Sequence, residues 1–240
     1  MVGYIQMIDF HCHILPEMDD GSRNMEMSLE MLRLESEQGI STVVATPHFY
    51  AEQDSVGNFL KRRNHSLDRL MRAAAGKGQP LIAIQTGAEV YYFRNIGEAS
   101  LIQNLHIGDS HTLLLELPFC QWEPFIYEDV VKLIRQQELK VVLAHVERYY
   151  KLQKDQGIWN AILELPVYCQ MNARAFLDWK RRRKSFAIMK AQKHVLLGSD
   201  AHNLTSRSPN LGAACAVIEK KVGAEYLEEA KALAYRLLEL

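Results

Sequence analysis

The chain has 240 residues, of which 48% are hydrophobic and 24% charged, and its formal net charge is -1. This balance is typical of a globular protein and excludes a general electrostatic attraction to nucleic acid or to an anionic membrane. No stretch approaches the roughly 18 consecutive apolar residues of a membrane span, so we expect no membrane insertion. A chain of this length suits one α/β domain, and we expect a single domain over residues 1–240.

The four cysteines are scattered along the chain and form no Cys-x-x-Cys pair. A chain of this size needs no disulfide to stabilise its core, so we expect reduced thiols. None of the four is followed by arginine after five intervening residues, which gives no support to a cysteine nucleophile. The first residues lack a basic region followed by a long apolar run, and the expected location is therefore the cytosol.

The first predicted strand is apolar and ends in two histidines, His11 and His13, separated by one residue. Side chains at i and i+2 of a strand project to the same face, so both histidines can bind one ion while Cys12 faces away. By the same alternation, Asp9 shares the face of His11. It is expected either to orient that imidazole or to form a capping or salt-bridge contact at the strand.

Short apolar runs and helical patterns alternate along the rest of the chain. Ser22 is the predicted N-cap of the first helix, which Gly39 closes. Further strands are predicted at 40–45, 81–84, 113–116, 141–145, 167–172 and 195–200, and further helices at 59–75, between 89 and 113, at 125–137, 158–163, around 186–189, at 213–221 and 225–238. Seven strands joined by helices predict parallel pairing, in an α/β barrel or an open sheet.

Nearly every predicted strand ends in a residue type that binds divalent metals. These residues are His11 and His13, His48, Glu89, Glu116, His145, and Asp200 with His202. In a barrel of parallel strands the carboxyl ends converge on one face. The sequence therefore predicts a metal centre assembled from separate strand ends.

Six segments carry a resemblance to a known family. They are D-F-H-C-H-I-L-P-E-M-D-D-G, A-T-P-H, G-A-E-V-Y-Y, L-L-E-L-P, A-H-V-E-R-Y and S-D-A-H-N, in this order along the chain. With them the chain resembles the PHP (polymerase and histidinol phosphatase) superfamily of metal-dependent phosphoesterases. It is most similar to the bacterial protein-tyrosine phosphatases of capsule and exopolysaccharide synthesis. The resemblance implies an α/β fold, a distorted TIM-like (β/α)7 barrel, holding three divalent ions, usually manganese, with iron, zinc or magnesium as alternatives.

The same resemblance implies an assignment of ligands to the three ions. The first ion would be held by His11, His13, Glu89 and Asp200. The second ion would be held by Glu89, acting as a bridge, with Glu116 and His145, and the third by Asp20, His48 and His202. Asp20 is preferred to Asp19 because it directly precedes the glycine of the motif. Mixed imidazole and carboxylate ligands of this kind suit divalent metals that leave positions open for water.

The activity implied is hydrolysis of phosphotyrosine on a bacterial tyrosine autokinase that regulates capsule or exopolysaccharide synthesis, by hydroxide activated at the metals. Arg148 and Arg207 match positions linked to phosphate binding, and a guanidinium fork suits phosphate oxygens. Two alternatives stay open: a phosphatase of small phosphomonoesters such as histidinol phosphate, and a non-catalytic PHP module.

Two further features are open to more than one interpretation. Tyr91 and Tyr92 follow Glu89. They are expected either to line a mouth that accepts an aromatic group, or to pack in the core or be exposed in a loop. The basic run from Lys180 to Lys184 is expected either to begin a solvated helix or to steer an acidic segment of the substrate.

Overall fold

The computed structural model describes residues 6–76 and 82–240. The strands in this part of the chain are β1 (Met7–Cys12), β2 (Ile40–Ala45), β3 (His48–Phe49), β4 (Ala83–Thr86), β5 (Glu89–Tyr91), β6 (Thr112–Glu116), β7 (Lys140–Leu143), β8 (Tyr168–Asn172) and β9 (Val195–Gly198). The α-helices are α1 (Met25–Glu37), α2 (Val56–Gly76), α3 (Pro124–Arg135), α4 (Gly157–Glu164), α5 (Arg174–Leu177), α6 (Arg182–Ala191), α7 (Leu211–Val222) and α8 (Ala224–Leu238). Every one of these helices is too short or too polar to cross a membrane.

All named strands pair in parallel, and the pairings follow a circuit. One sheet has the order β1-β2-β4 and the other the order β3-β5-β6-β7-β8-β9. A bridge between Cys12 and Ala201 joins the end of β1 to the segment after β9. Because β3 closely follows β2 and β5 closely follows β4, the short strands of the described residues occupy seven positions around this circuit. The predicted α/β fold with parallel strands is confirmed.

An apolar cluster fills the interior of the circuit, and α8 covers the end at which the strands begin. The cluster includes Ile8, Phe10, Val44, Leu114, Val142, Leu196, Leu233 and Leu237. At the start of β6, the Thr112 hydroxyl donates to the Leu237 carbonyl at 2.8 Å, and at the start of β7 the Lys140 ammonium lies 2.9 Å from Glu239. Because α8 covers the amino ends of the strands, only the carboxyl ends are open to hold a cluster of polar side chains.

A β-bulge in β1 changes which side chains face the interior. Asp9 pairs with Val43 and Cys12 with Ala45, so three steps along β1 match two steps along β2. The extra residue puts Asp9 and Cys12 on the same side, where both approach Glu35 of α1. The simple alternation that placed Asp9 on the face of His11 is therefore wrong.

Most predicted elements are confirmed within a few residues, and three differ. The N-cap of α1 is Asn24, whose side chain accepts from the Met27 amide at 2.9 Å, whereas Ser22 is part of the preceding loop. The helix predicted between 89 and 113 is a pair of short 3-10 helices, Ile96–Glu98 and Ile102–Leu105. The third predicted strand begins at Ala83 rather than at 81, and Leu81 lies outside the described residues.

Candidate metal centre

All nine predicted ligand residues meet at the carboxyl ends of the strands. The first group is fully buried and contains His11, His13, Glu89 and Asp200. The Nε2 atoms of the two histidines lie 3.1 Å apart, and each lies 3.1 Å from Glu89 Oε2. Asp200 Oδ1 completes the group at 3.7 Å from His11 Nε2 and 3.5 Å from His13 Nε2. Four potential ligand atoms thus converge on one point.

A second group lies on the other side of Glu89. His145 Nε2 is 2.9 Å from Glu89 Oε1 and 3.2 Å from Glu116 Oε1. His48 also approaches this group, with its Nδ1 atom 3.1 Å from Glu89 Oε2 and 3.9 Å from Glu116 Oε2. Glu89 directs one oxygen toward each group, which is the geometry of a bridging carboxylate.

A third group faces the solvent. Asp20 Oδ1 lies 3.6 Å from His48 Nε2 and 3.4 Å from His202 Nε2, and His13 is near enough to share the site. The side chain of Asp20 is 67% exposed. His48 therefore faces the second group with one ring nitrogen and the third group with the other.

The neighbouring Asp19 has a different position. Its Oδ2 atom lies 2.6 Å from His13 Nδ1 and accepts from the backbone amide of His48 at 2.8 Å. Asp19 thus fixes the ring of one candidate ligand and the backbone of another, while Asp20 reaches the cluster itself. The position after Asp20 requires a glycine, Gly21, because a Cβ atom there would lie 2.5 Å from the Cβ atom of His13.

The residues present fit divalent metal ions. Five imidazoles and four carboxylates are the ligand types of borderline to hard divalent cations. Inside the cluster His48 Nδ1, Glu89 Oε2 and His202 Nε2 are buried close to other ligand atoms without forming a hydrogen bond. Buried polar atoms are rarely left without a partner, and cations bound in these groups would satisfy the three atoms.

The charges of the cluster also fit a cation. Burial and the neighbouring His13 cation lower the pKa of His202 to about 3, which leaves a neutral imidazole with a free lone pair. Against the effect of burial, hydrogen bonds to Glu116 and Glu89 raise the pKa of His145 to about 9. Burial likewise opposes charge on Glu89, yet His11 and His13 hold its pKa well below the ordinary value. The proton on His145 occupies the position that a metal ion would take, because a histidine must lose that proton to bind a metal.

Amide side chains hold the ligands in place, and the sequence did not single them out. The Gln170 Oε1 atom accepts from the His145 backbone amide at 2.7 Å and lies 3.1 Å from His11 Nδ1. Asn172 donates from Nδ2 to Asp200 Oδ2 at 2.7 Å. The role of orienting the His11 imidazole belongs to Gln170, since Asp9 accepts from the backbone amides of His11 and Ser199 instead.

Two residues of the centre hold a left-handed backbone, with φ angles of 33° at His145 and 53° at Asp200. Such conformations are unfavourable for residues other than glycine and concentrate at functional sites. In addition, Gly198 packs against the first ligand strand, where a Cβ atom would lie 2.7 Å from that of His11. The local backbone is thus built around the ligand positions.

The two predicted phosphate-binding arginines lie beside the cluster. Arg207 Nη2 is 2.6 Å from Asp200 Oδ1, and Arg148 Nη1 is 3.6 Å from Asp200 Oδ2. Both side chains are partly exposed, so their guanidinium groups stand between the buried ligands and the solvent. An anion that approached the cluster would meet them first.

Aromatic side chains form the rest of the rim. The Phe119 ring is 43% exposed and stacks on the His145 ring with centroids 5.6 Å apart. On the other side, Tyr50 lies 5.3 Å from the His48 ring and 5.6 Å from the Tyr91 ring, between centroids. Tyr92, by contrast, is buried and donates its hydroxyl to Asp129, so only the first tyrosine of the pair lies near the centre. Sequence inspection did not identify Phe119 or Tyr50.

The fold and this cluster define a class: parallel α/β proteins with a candidate metal centre of histidines and carboxylates at the strand ends. A model of the capsular polysaccharide synthesis family CpsB/CapC matches residues 7–234, and the chain belongs to this family.

Several relatives are named as tyrosine-protein phosphatases. Tyrosine-protein phosphatase YwqE of Bacillus subtilis is 28% identical over 223 residues, which cover 91% of this chain and 86% of that protein. Tyrosine-protein phosphatase CpsB of Streptococcus pneumoniae is 27% identical over 238 residues, covering 93% and 94% of the two chains.

Solved structures agree with this relationship. A structure described among those of YwqE and CpsB, "unique metal-dependent tyrosine phosphatases", matches with a TM-score of 0.83 and 26% identity, over 97% of this chain and 94% of that one. A phosphotriesterase homology protein from Escherichia coli shares the fold alone, with a TM-score of 0.57 at 11% identity over 96% and 98% of the chains.

Proposed function

We propose that the protein is a metal-dependent protein-tyrosine phosphatase. The observation that carries the proposal is the set of three ligand groups, two of which are joined through Glu89, in a chain of the CpsB/CapC family. Its substrate would be phosphotyrosine on a bacterial tyrosine autokinase that regulates capsule or exopolysaccharide synthesis. The same proposal includes a single catalytic domain over residues 1–240 and a cytoplasmic location.

Three divalent ions, most often manganese in proteins of this type, would occupy the three groups. The first ion would take His11, His13, Glu89 and Asp200; the second Glu89, Glu116 and His145; and the third Asp20, His48 and His202. When bound, such ions supply Lewis acidity toward phosphate oxygens and an activated water as the nucleophile.

The residues of the chain would position the ester. Arg148 and Arg207 lie at the solvent side of Asp200, where their guanidinium groups can bind phosphate oxygens and offset the charge that develops during transfer. A tyrosine leaving group has a pKa of about 10, so its departure requires less help from an acid than that of an alkoxide.

The aromatic rim supports phosphotyrosine over a small aliphatic ester. The exposed Phe119 and the half-buried Tyr50 flank the cluster, and aromatic rings attract one another when their centroids lie about 4.5–7 Å apart. Burial and nearby carboxylates raise the pKa of Tyr50 to about 12. Its protonated hydroxyl is a hydrogen-bond donor for an incoming phosphate. A complete ligand set also argues against a non-catalytic module.

Turnover of p-nitrophenyl phosphate with manganese, before and after chelation, tests the enzyme proposal. We expect activity that chelation abolishes and added metal restores. A folded, metal-loaded protein without turnover would overturn it. A comparison of a phosphotyrosine peptide with histidinol phosphate then tests the substrate class, and faster hydrolysis of histidinol phosphate would defeat the assignment to phosphotyrosine.

A further inference from the structure

A cleft opens beside the candidate metal centre. It has a volume of about 670 Å³ and lies between the segment after β7 and the segment around α5 and the start of α6. Arg148, Asp200 and Arg207 belong to both the cleft wall and the metal centre. A phosphate held at the centre therefore has direct access to the cleft.

The cleft wall is strongly cationic, although the chain as a whole has a net charge of -1. Seven lysines and arginines line it against three carboxylates, a formal excess of four positive charges. Arg181 pairs with Asp178 at 3.2 Å, and the two arginines of the centre contact Asp200. These contacts account for the three carboxylate-paired cations of the wall.

The other four cations, Lys151, Arg174, Lys180 and Lys184, have no carboxylate of the described residues within salt-bridge distance. Lys184 instead places its ammonium 3.7 Å from the centre of the Tyr150 ring, which holds the charge in position over an aromatic face. Concentrated cations of this kind repel one another, and an anionic ligand would offset that repulsion.

An exposed aromatic residue is the chain neighbour of two residues that line the cleft, Asp178 and Lys180. Trp179, next to Lys180, is 72% exposed, and the Lys180 ammonium lies 5.4 Å from its ring. Tryptophan and arginine are enriched at the centres of protein interfaces, and exposed large aromatics are uncommon elsewhere. Exposed aromatic surface therefore lies beside the charged wall of the cleft.

We infer that this cleft binds anionic residues that flank the phosphotyrosine in the substrate chain, an inference that rests on the proposed function. The anionic groups are either acidic side chains or a second phosphoryl group, since both offer oxygens to lysine and arginine. A peptide is favoured as the occupant because the cleft is continuous with the phosphate-binding arginines. Recognition of flanking charge would direct the enzyme to acidic or multiply phosphorylated segments.

The test uses the metal-loaded full chain and three phosphotyrosine peptides of equal length. One peptide has neutral flanks, one has glutamate flanks, and one carries a second phosphotyrosine. We expect kcat/KM to be higher for both anionic peptides than for the neutral one, and to fall more steeply with added salt. The ratio of the two anionic peptides shows which source of negative charge the cleft prefers.

The double variant Lys180→Gln, Lys184→Gln removes two cleft cations without touching the metal centre. It is expected to lower kcat/KM for the anionic peptides by about 3- to 10-fold and to change the neutral peptide and p-nitrophenyl phosphate by less than about twofold. The matched control is Lys190→Gln, Lys193→Gln, which removes two exposed charges at the far end of α6 and just before β9. This control is expected to leave all four substrates unchanged.

Equal effects of the cleft variant on neutral and anionic peptides, or equal effects of the two double variants, would overturn the inference. Binding of the same peptides with a phosphonomethyl-phenylalanine in place of phosphotyrosine, measured by fluorescence anisotropy, separates it from the proposed function. Loss of all turnover with charge-dependent binding intact would defeat the phosphatase proposal alone. Normal turnover with charge-independent binding would defeat the cleft alone.

Discussion

Replacement of Gln170 by methionine is expected to weaken metal binding, although Gln170 is not itself a candidate ligand. The side chain is completely buried, and methionine has a similar length. Gln170 Oε1 accepts from the His145 amide at 2.7 Å and faces His11 Nδ1 at 3.1 Å. Its Nε2 atom donates to Asn172 Oδ1 at 3.0 Å, and Asn172 in turn binds Asp200. The substitution removes this whole connection.

The magnitude follows from the groups that lose their acceptor. A buried donor left without a partner costs about 1–3 kcal/mol, so the His145 amide and His11 Nδ1 together cost about 2–6 kcal/mol of stability. That is a large part of the roughly 5–15 kcal/mol that typically stabilises a domain. Loss of a hydrogen bond that orients a metal-binding histidine typically lowers metal affinity or activity by about 10- to 100-fold.

The assay is a titration of the chelated enzyme with manganese, read as turnover of p-nitrophenyl phosphate. The metal concentration at half-maximal activity is expected to rise by about 10- to 100-fold in Gln170→Met. Gln170→Glu keeps an acceptor for both donors but loses the donor to Asn172, and it is expected to retain more of the affinity than Gln170→Met. Gln153→Met is the matched control, because Gln153 is also buried and accepts from a backbone amide, that of Trp122 at 2.9 Å, away from the metal centre.

The melting temperature of each chelated variant separates stability from metal binding. Both methionine variants are expected to melt at lower temperatures, and only Gln170→Met should need more metal. An unchanged metal titration in a folded Gln170→Met protein would refute the positioning role. So would an equal loss of metal affinity in Gln153→Met.

Three further outcomes are expected. Glu89→Ala should lower kcat by more than Arg207→Ala, because Glu89 joins two ligand groups. Arg207, by comparison, supplies one charged hydrogen bond to phosphate, which is worth about 1.5–3 kcal/mol. Near-equal residual rates at full metal occupancy would show that Glu89 is not a bridge. Phe119→Ala should raise KM for a phosphotyrosine peptide by about 2- to 12-fold and leave glycerol phosphate unchanged, and equal losses on both esters would contradict a ring-stacking role. Burial and the adjacent Asp9 raise the pKa of Glu35 well above its ordinary value. The folded state therefore holds this proton more tightly than the unfolded state, and the free energy of unfolding falls as the pH rises above about 4.5. Glu35→Gln removes this titration, and its melting temperature relative to the unmodified protein should increase between pH 5.5 and pH 8.5; a difference that is constant with pH would argue against the raised pKa.

The sequence by itself determined the parallel strands and the residues at their ends. Apolar runs such as 40–45 and 195–198 are buried on both sides, and this local pattern is sufficient to predict them. Ligands such as His145 and Asp200 directly follow such runs. Because the carboxyl ends of parallel strands meet, residues far apart in the chain could be predicted to lie together without knowledge of any distance.

Tertiary structure alone decided how the ligands are held and what surrounds them. The contact of Gln170 with His11 joins residues 159 positions apart, and no local pattern distinguishes that glutamine from any other. The side on which Asp9 lies depends on a bulge, which a single extra residue creates and a period-two pattern cannot predict. The cationic cleft likewise depends on how the segments after β7 and β8 pack against each other. Its charged residues belong to separate segments of the chain, and only long-range packing brings them together.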